Sequence, residues 1–177
     1  TVKATSEPCW VFVEVTEDLH IDMAQLAELD IDAFVLTNLF GIRNNVNTIR
    51  QVIGKIPIIV DNAHGFGLPN EGDFTVYSIN QGKFPALGEG GILVVNNQKY
   101  AEHVKQQYEQ LPIYSIEQEI KLFVSMVMKA VMHIPIIYTY VTMPMKARRT
   151  NVDYRGITPL RQMAKGVRRL YQYALPN

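Results

Sequence analysis

Five short apolar runs constrain this chain more than anything else in it. They are WVFVEV (10–15), AFVL (33–36), PIIV (57–60), FTVYS (74–78) and ILVV (92–95). Each has the length and the β-branched or aromatic content of a strand. Helix signals fall between the early ones. Asp22 is placed to cap MAQLAEL, and Leu39–Gly41 turns the chain. Asn44 or Asn45 can cap a helix with Val46, Ile49, Val52 and Ile53 on one face, and Gly54 closes it. Asn97 precedes a helix over Gln98–Gln110. Uninterrupted apolar strands alternating with helices predict a three-layer α/β/α fold, its mostly parallel sheet covered on both faces.

With 177 residues the chain can bury the core of one domain. Its 17 basic and 17 acidic residues cancel, so no global charge draws it to nucleic acid. Cys9 alone permits neither an internal disulfide framework nor a cysteine-rich zinc site, and it fits a reducing cytoplasm. His20, His103 and His133 lack metal-ligand spacing, so no metal is expected.

Ligands of parallel sheets bind beyond the C-terminal strand ends. Asp61 follows PIIV at such an end, and Ser78 ends FTVYS. Lys83 comes five residues later, between Gly82 and Phe84-Pro85, and the glycine-rich return GEGG follows. A carboxylate, a hydroxyl and an amine can therefore meet at one rim. An amine flanked by small and apolar residues can be desolvated enough to attack a carbonyl. Such a lysine suits pyridoxal 5'-phosphate, whose ring nitrogen needs a carboxylate; Asp61 is the best placed. Ser78 can bond a phosphate oxygen, and His64 can lie near the ring. Each residue also has a plainer reading: Asp61 as a loop opener, Lys83 as a solvated turn residue, the glycines as a tight return.

In this order, VDNAHG, SINQGK and GEGG resemble the E-D-x-A-[HQ], S-F-x-x-x-K and G-[ED]-G-G segments of the DegT/DnrJ/EryC1/StrS sugar aminotransferases. Val60 stands in place of the family's acid, and Ile79 in place of its aromatic. CWVFVEVTEDLHID, FVLTNLFG and DYRGITPLRQMAKGVRRL extend the likeness. The resemblance implies the type I fold of pyridoxal-phosphate enzymes and a homodimer. It implies Lys83 as the catalytic, cofactor-bonding lysine, Asp61 at the ring nitrogen, Ser78 at the phosphate and His64 beside the ring. Glu89 falls on the substrate side. Retention of Lys83 favours transamination, from a glutamate-like donor to a nucleotide-linked keto sugar in polysaccharide or amino-sugar biosynthesis, over the family's dehydratase branch. The chain is expected to match the middle of longer members: 1–115 as a partial cofactor-binding domain, 116–150 as an apolar helical insertion, and 151–177 as a connecting helix. The isolated chain is then expected to be incomplete and inactive, and to bind the cofactor weakly or not at all.

The second half reads differently. Ile116–Met132 is helical by content, and Ala130–Met145 carries no charge, with Pro135 and Pro144 as breakers. From Met145 to Asn177 there are eight Lys or Arg against Asp153 as the sole acid. Thr158-Pro159 can open a further helix. An apolar segment over 121–149 followed by cations suits either a buried protein interface or peripheral contact with anionic lipid, so a cytoplasmic location is expected, with membrane association as the alternative to a buried interface. The alternative to an enzyme is a catalytically incomplete form of the fold, acting as an interaction or membrane-surface module.

Overall fold

The computed structural model describes residues 9–80, 82–83, 90–147, 161–163 and 165. Contacts divide the chain into two compact units. The first comprises Thr1–Ser78 with Ile92–Gln98, the second Ile79–Gly91 with Lys99–Asn177.

The first unit is built on a sheet of four strands in the order β1 (Phe34–Thr37), β2 (Ile58–Asp61), β3 (Phe74–Ser78) and β4 (Gly91–Val95). β1 and β2 run parallel, as do β2 and β3. β4 runs the other way: Ile79 donates to the Gly90 carbonyl and Asn96 to that of Asp73, so residue numbers fall along one strand as they rise along the other. The mostly parallel α/β fold expected from the apolar runs is therefore present.

Helices α1 (Met23–Ala27) and α2 (Val46–Ile53) form where the capping residues predict. Asp22 accepts from the Ala24 and Gln25 N–H groups, and Asn45 from those of Asn47 and Thr48. Gly54 ends α2 at φ 64°, where a side chain would be strained. Val46, Ile49 and Ile53 of α2 and Leu26 of α1 pack on Phe34, Leu36, Ile58 and Val60. These residues form the core, and they define one face of the sheet.

Three expectations need correcting. WVFVEV is not a strand: Trp10, Val11 and Phe12 are exposed, and Val15 makes a single antiparallel bridge to Ile21. A strand needs a neighbour to satisfy its backbone, and strand propensity alone does not supply one. Helices do not alternate throughout. A loop over 62–73 joins β2 to β3, held by the Tyr77 hydroxyl, which donates to the Leu68 carbonyl and lies 2.9 Å from Asn70 Oδ1. Burial also alternates instead of being continuous, for Val35 stays 46% exposed between buried Phe34 and Leu36.

In the second unit, α3 (Gln98–Glu109) precedes α4 (Ile116–Met132), which starts with a capping box between Ser115 and Gln118. Pro135 then opens a short turn, α5 (Pro135–Ile137), which runs through a π-helical segment (Tyr138–Thr142) into α6 (Met143–Ala147). The prolines thus start new helical turns. Thr158-Pro159 and the basic stretch 148–160 lie outside the described residues.

Candidate functional site

Side chains alternate across a strand, and paired residues of neighbouring strands share a face. Val60 points into the core, so Asp61 points to the opposite face. Asp61 pairs with Val76, and Ser78 is two residues further along the same strand. Asp61 and Ser78 therefore share the face not covered by α1 and α2, at the C-terminal edge of adjacent parallel strands. One inter-strand spacing and two strand steps put their Cα atoms roughly 8 Å apart. Both are half-buried.

The edge is fixed from behind. Asp61 accepts the Ala63 N–H at 2.9 Å on Oδ1, and its carbonyl accepts the Asn38 N–H at 3.0 Å. Asn38 and Asn62, each 1% exposed, are joined by a hydrogen bond in which Asn38 Nδ2 donates to Asn62 Oδ1 at 2.7 Å. Asn38 Oδ1 also accepts from the Asn44 N–H, and Asn44 Oδ1 in turn from that of Ile21. This chain of amides ties the ends of β1 and β2 to the loops that follow them. Sequence reading missed it, because asparagine in a turn is usually solvated. Among the described residues, Asn44 Nδ2 and Asn62 Nδ2 have no hydrogen-bond partner.

His64 is exposed and its ring stacks on that of Phe40, with centroids 5.9 Å apart and planes 25° apart. Phe40 adopts φ 54°, uncommon for an aromatic residue and a conformation that concentrates at functional sites. Its position just before Gly41 was the available sequence signal.

Lys83 belongs to the second unit. It is half-buried, and its N–H donates to the Asn80 carbonyl at 3.1 Å in a turn where Gly82 takes φ 81°. Asn80 Oδ1 accepts the Gly90 N–H at 2.9 Å, closing the neck of the 79–90 loop beside the Ile79–Gly90 bond. Glu89 lies outside the described residues. Among the described residues no cluster of His, Cys, Asp or Glu could hold a metal ion.

Asp73 carries the charge most shaped by the fold. It sits at the opposite end of β3 and accepts from Asn97 Nδ2 (2.6 Å), Arg50 Nη2 (2.7 Å) and the Ile58 N–H (2.8 Å). Burial works to raise its carboxyl pKa, but those three donors outweigh burial and hold it below the ordinary 3.8. Asp73 thus pins the start of β2 and β3 and the end of β4, setting the register that aligns Asp61 with Ser78.

The α/β sheet thus presents a carboxylate and a hydroxyl on one face at the C-terminal ends of its parallel strands, the position at which such sheets commonly bind ligands. The fold is similar to that in the X-ray structure of the aminotransferase from Psychrobacter cryohalolentis, with TM-score 0.52 and 22% identity over 59% of this chain. The chain spans 30% of the length of that structure. No curated protein matches it. The model of the DegT/DnrJ/EryC1/StrS aminotransferase family matches residues 5–125, and the chain belongs to that family.

Proposed function

We propose that the chain carries the cofactor-binding part of a pyridoxal-phosphate-dependent aminotransferase whose acceptor is a nucleotide-linked keto sugar and whose donor resembles glutamate. The observation that carries this is the shared face of Asp61 and Ser78 at the parallel edge, followed by the Lys83 loop, in a chain of this family. The donor set suits the cofactor: a half-buried carboxylate for a protonated ring nitrogen, a hydroxyl for a phosphate oxygen, and a half-buried amine for an aldehyde. Pyridoxal 5'-phosphate, when bound, supplies an electron sink that lets a proton leave the carbon bearing the amino group. Asp61 would hold a proton at the ring nitrogen, and Ala63 N–H fixes that carboxylate in place. Ser78 would hold a phosphate oxygen. Lys83 would hold the cofactor at its aldehyde carbon and, with its amine freed when the substrate amine takes its place, would move the proton at the substrate Cα. The Phe40–His64 stack presents an aromatic surface beside the same edge. A homodimer in the cytoplasm and a role in polysaccharide or amino-sugar biosynthesis complete this reading.

Reductive trapping tests it. The chain is incubated with pyridoxal 5'-phosphate and borohydride, and labelled lysines are mapped by mass spectrometry. The expected label concentrates on Lys83 and falls several-fold in Asp61→Ala. Uniform labelling of surface lysines, unchanged in that variant, would overturn the assignment. A catalytically silent module is the second reading, favoured by the exposed apolar residues of α4. Amine product from a panel of nucleotide-linked keto sugars with glutamate, lost in Lys83→Ala, would exclude it.

A further inference from the structure

Helix α4 carries its apolar residues on the outside. Ile120, Phe123, Val124, Val127, Met128 and Val131 are 41% to 61% exposed. At 100° per residue they fill an arc of about 140°. Polar contacts within the second unit fall outside that arc: Gln118, on the far side of the helix, accepts from Arg161 at 2.9 Å, and Glu119, beside the arc, from the Lys165 N–H at 2.9 Å.

Beyond His133 the chain bends by 81°, and Pro135–Met145 continues the apolar surface with Ile136 72%, Tyr140 78% and Met143 58% exposed. The bend is internally satisfied, because Thr142, 6% exposed, donates to the Met132 carbonyl at 2.9 Å. Among the described residues no single helix is long and apolar enough to cross a membrane, but this bent pair has that length and composition.

Charge identifies the occupant. From Ile120 to Thr150 the sequence has no Asp or Glu, while Lys121, Lys129, Lys146, Arg148 and Arg149 fall inside it, in a chain whose formal charge is zero. Glu117 and Glu119 lie in the first turn of α4, where Glu117 pairs with Lys121; beyond that turn the apolar arc is accompanied only by cations, which complements an anionic bilayer surface, where the apolar residues enter the acyl boundary and the cations meet headgroups. We propose that α4 and Pro135–Met145 form a bent, interfacial hairpin that seats the protein on anionic lipid, with α4 in the plane of the membrane. This surface is independent of the cofactor site and stands whether or not Lys83 binds a cofactor.

Co-sedimentation with vesicles tests the proposal, with a no-vesicle control to remove self-pelleting protein. The chain is expected to pellet with phosphatidylcholine vesicles containing phosphatidylserine and several-fold less with phosphatidylcholine alone. Raising the salt should weaken pelleting. Arg148→Glu with Arg149→Glu should reduce it about tenfold or more. Val124→Glu with Val127→Glu, both at exposed positions, should abolish it while far-UV circular dichroism stays unchanged. Failure to pellet with either vesicle would overturn the proposal. So would a concentration-dependent dimer that Val127→Glu disperses without any effect on vesicle binding, since a second copy would then cover the arc.

Discussion

Replacing Asp73 by alanine should cost more stability than any surface change, and the cost can be built from its contacts. The Asp73 side chain is 11% exposed and its partner Arg50 33%. Alanine leaves the Ile58 N–H buried without an acceptor, which costs about 1–3 kcal/mol. Arg50 keeps its bonds to the Gly54 and Ile56 carbonyls and is partly hydrated, so losing its ion pair adds only about 1 kcal/mol. Asn97 rehydrates at the rim and adds roughly 0.5 kcal/mol. The sum is about 2.5–4.5 kcal/mol, or roughly 10 °C in Tm for a chain of this length. Urea unfolding followed by far-UV circular dichroism measures it. Arg50→Met should cost less, about 1–2 kcal/mol, because the carboxylate keeps two donors. The pH dependence has a definite sign. The folded carboxyl titrates below 3.8, so its contribution is complete well above that value and disappears as pH falls through the lowered folded value. The gap between wild type and Asp73→Ala should be constant near neutrality and close in acid. A loss below about 1 kcal/mol, or a gap that persists unchanged into acid, would refute the account of Asp73 as the pin of three strands.

Gly72→Ala should cost about 2–3 kcal/mol in the same unfolding assay: the residue sits at φ 69°, and a Cβ would lie 2.7 Å from the Ile58 carbonyl oxygen. Because that carbonyl accepts the Asp73 N–H, Gly72→Ala combined with Asp73→Ala should lose clearly less than the two single losses added. Asn45→Ala removes the cap of α2 and should cost about 1 kcal/mol, whereas Asn44→Ala, which strips the acceptor of the buried Ile21 link, should cost more.

What could be read from the sequence follows from how local each signal is. Phe74–Ser78 was legible to the residue, since its alternation is bounded by Gly72-Asp73 before it. The caps of α1 and α2 were legible because a cap acts within three residues of itself. Trp10–Val15 misled because pairing is not local: the run has strand composition, yet only Val15 finds a partner. Asp61 and Asp73 look alike in sequence, each an acid at a strand boundary. Only the register separates them, placing one at the C-terminal edge of the parallel strands and the other in a knot of donors at the far end. The buried asparagines were invisible for the same reason, because Asn38 and Asn62 meet across 24 residues of chain.

The reversed direction of β4 leaves Lys83 in a loop whose two ends are already hydrogen-bonded neighbours at Ile79 and Gly90. Closing a longer loop between fixed ends costs little, about 0.6 kcal/mol for each doubling of length. The length and composition of the lysine loop can therefore change at small expense, while the parallel pairing that sets Asp61 against Val76 does not depend on it. A carboxylate held by the sheet and a lysine carried on a segment tied at its neck can thus be altered separately, without rebuilding the sheet.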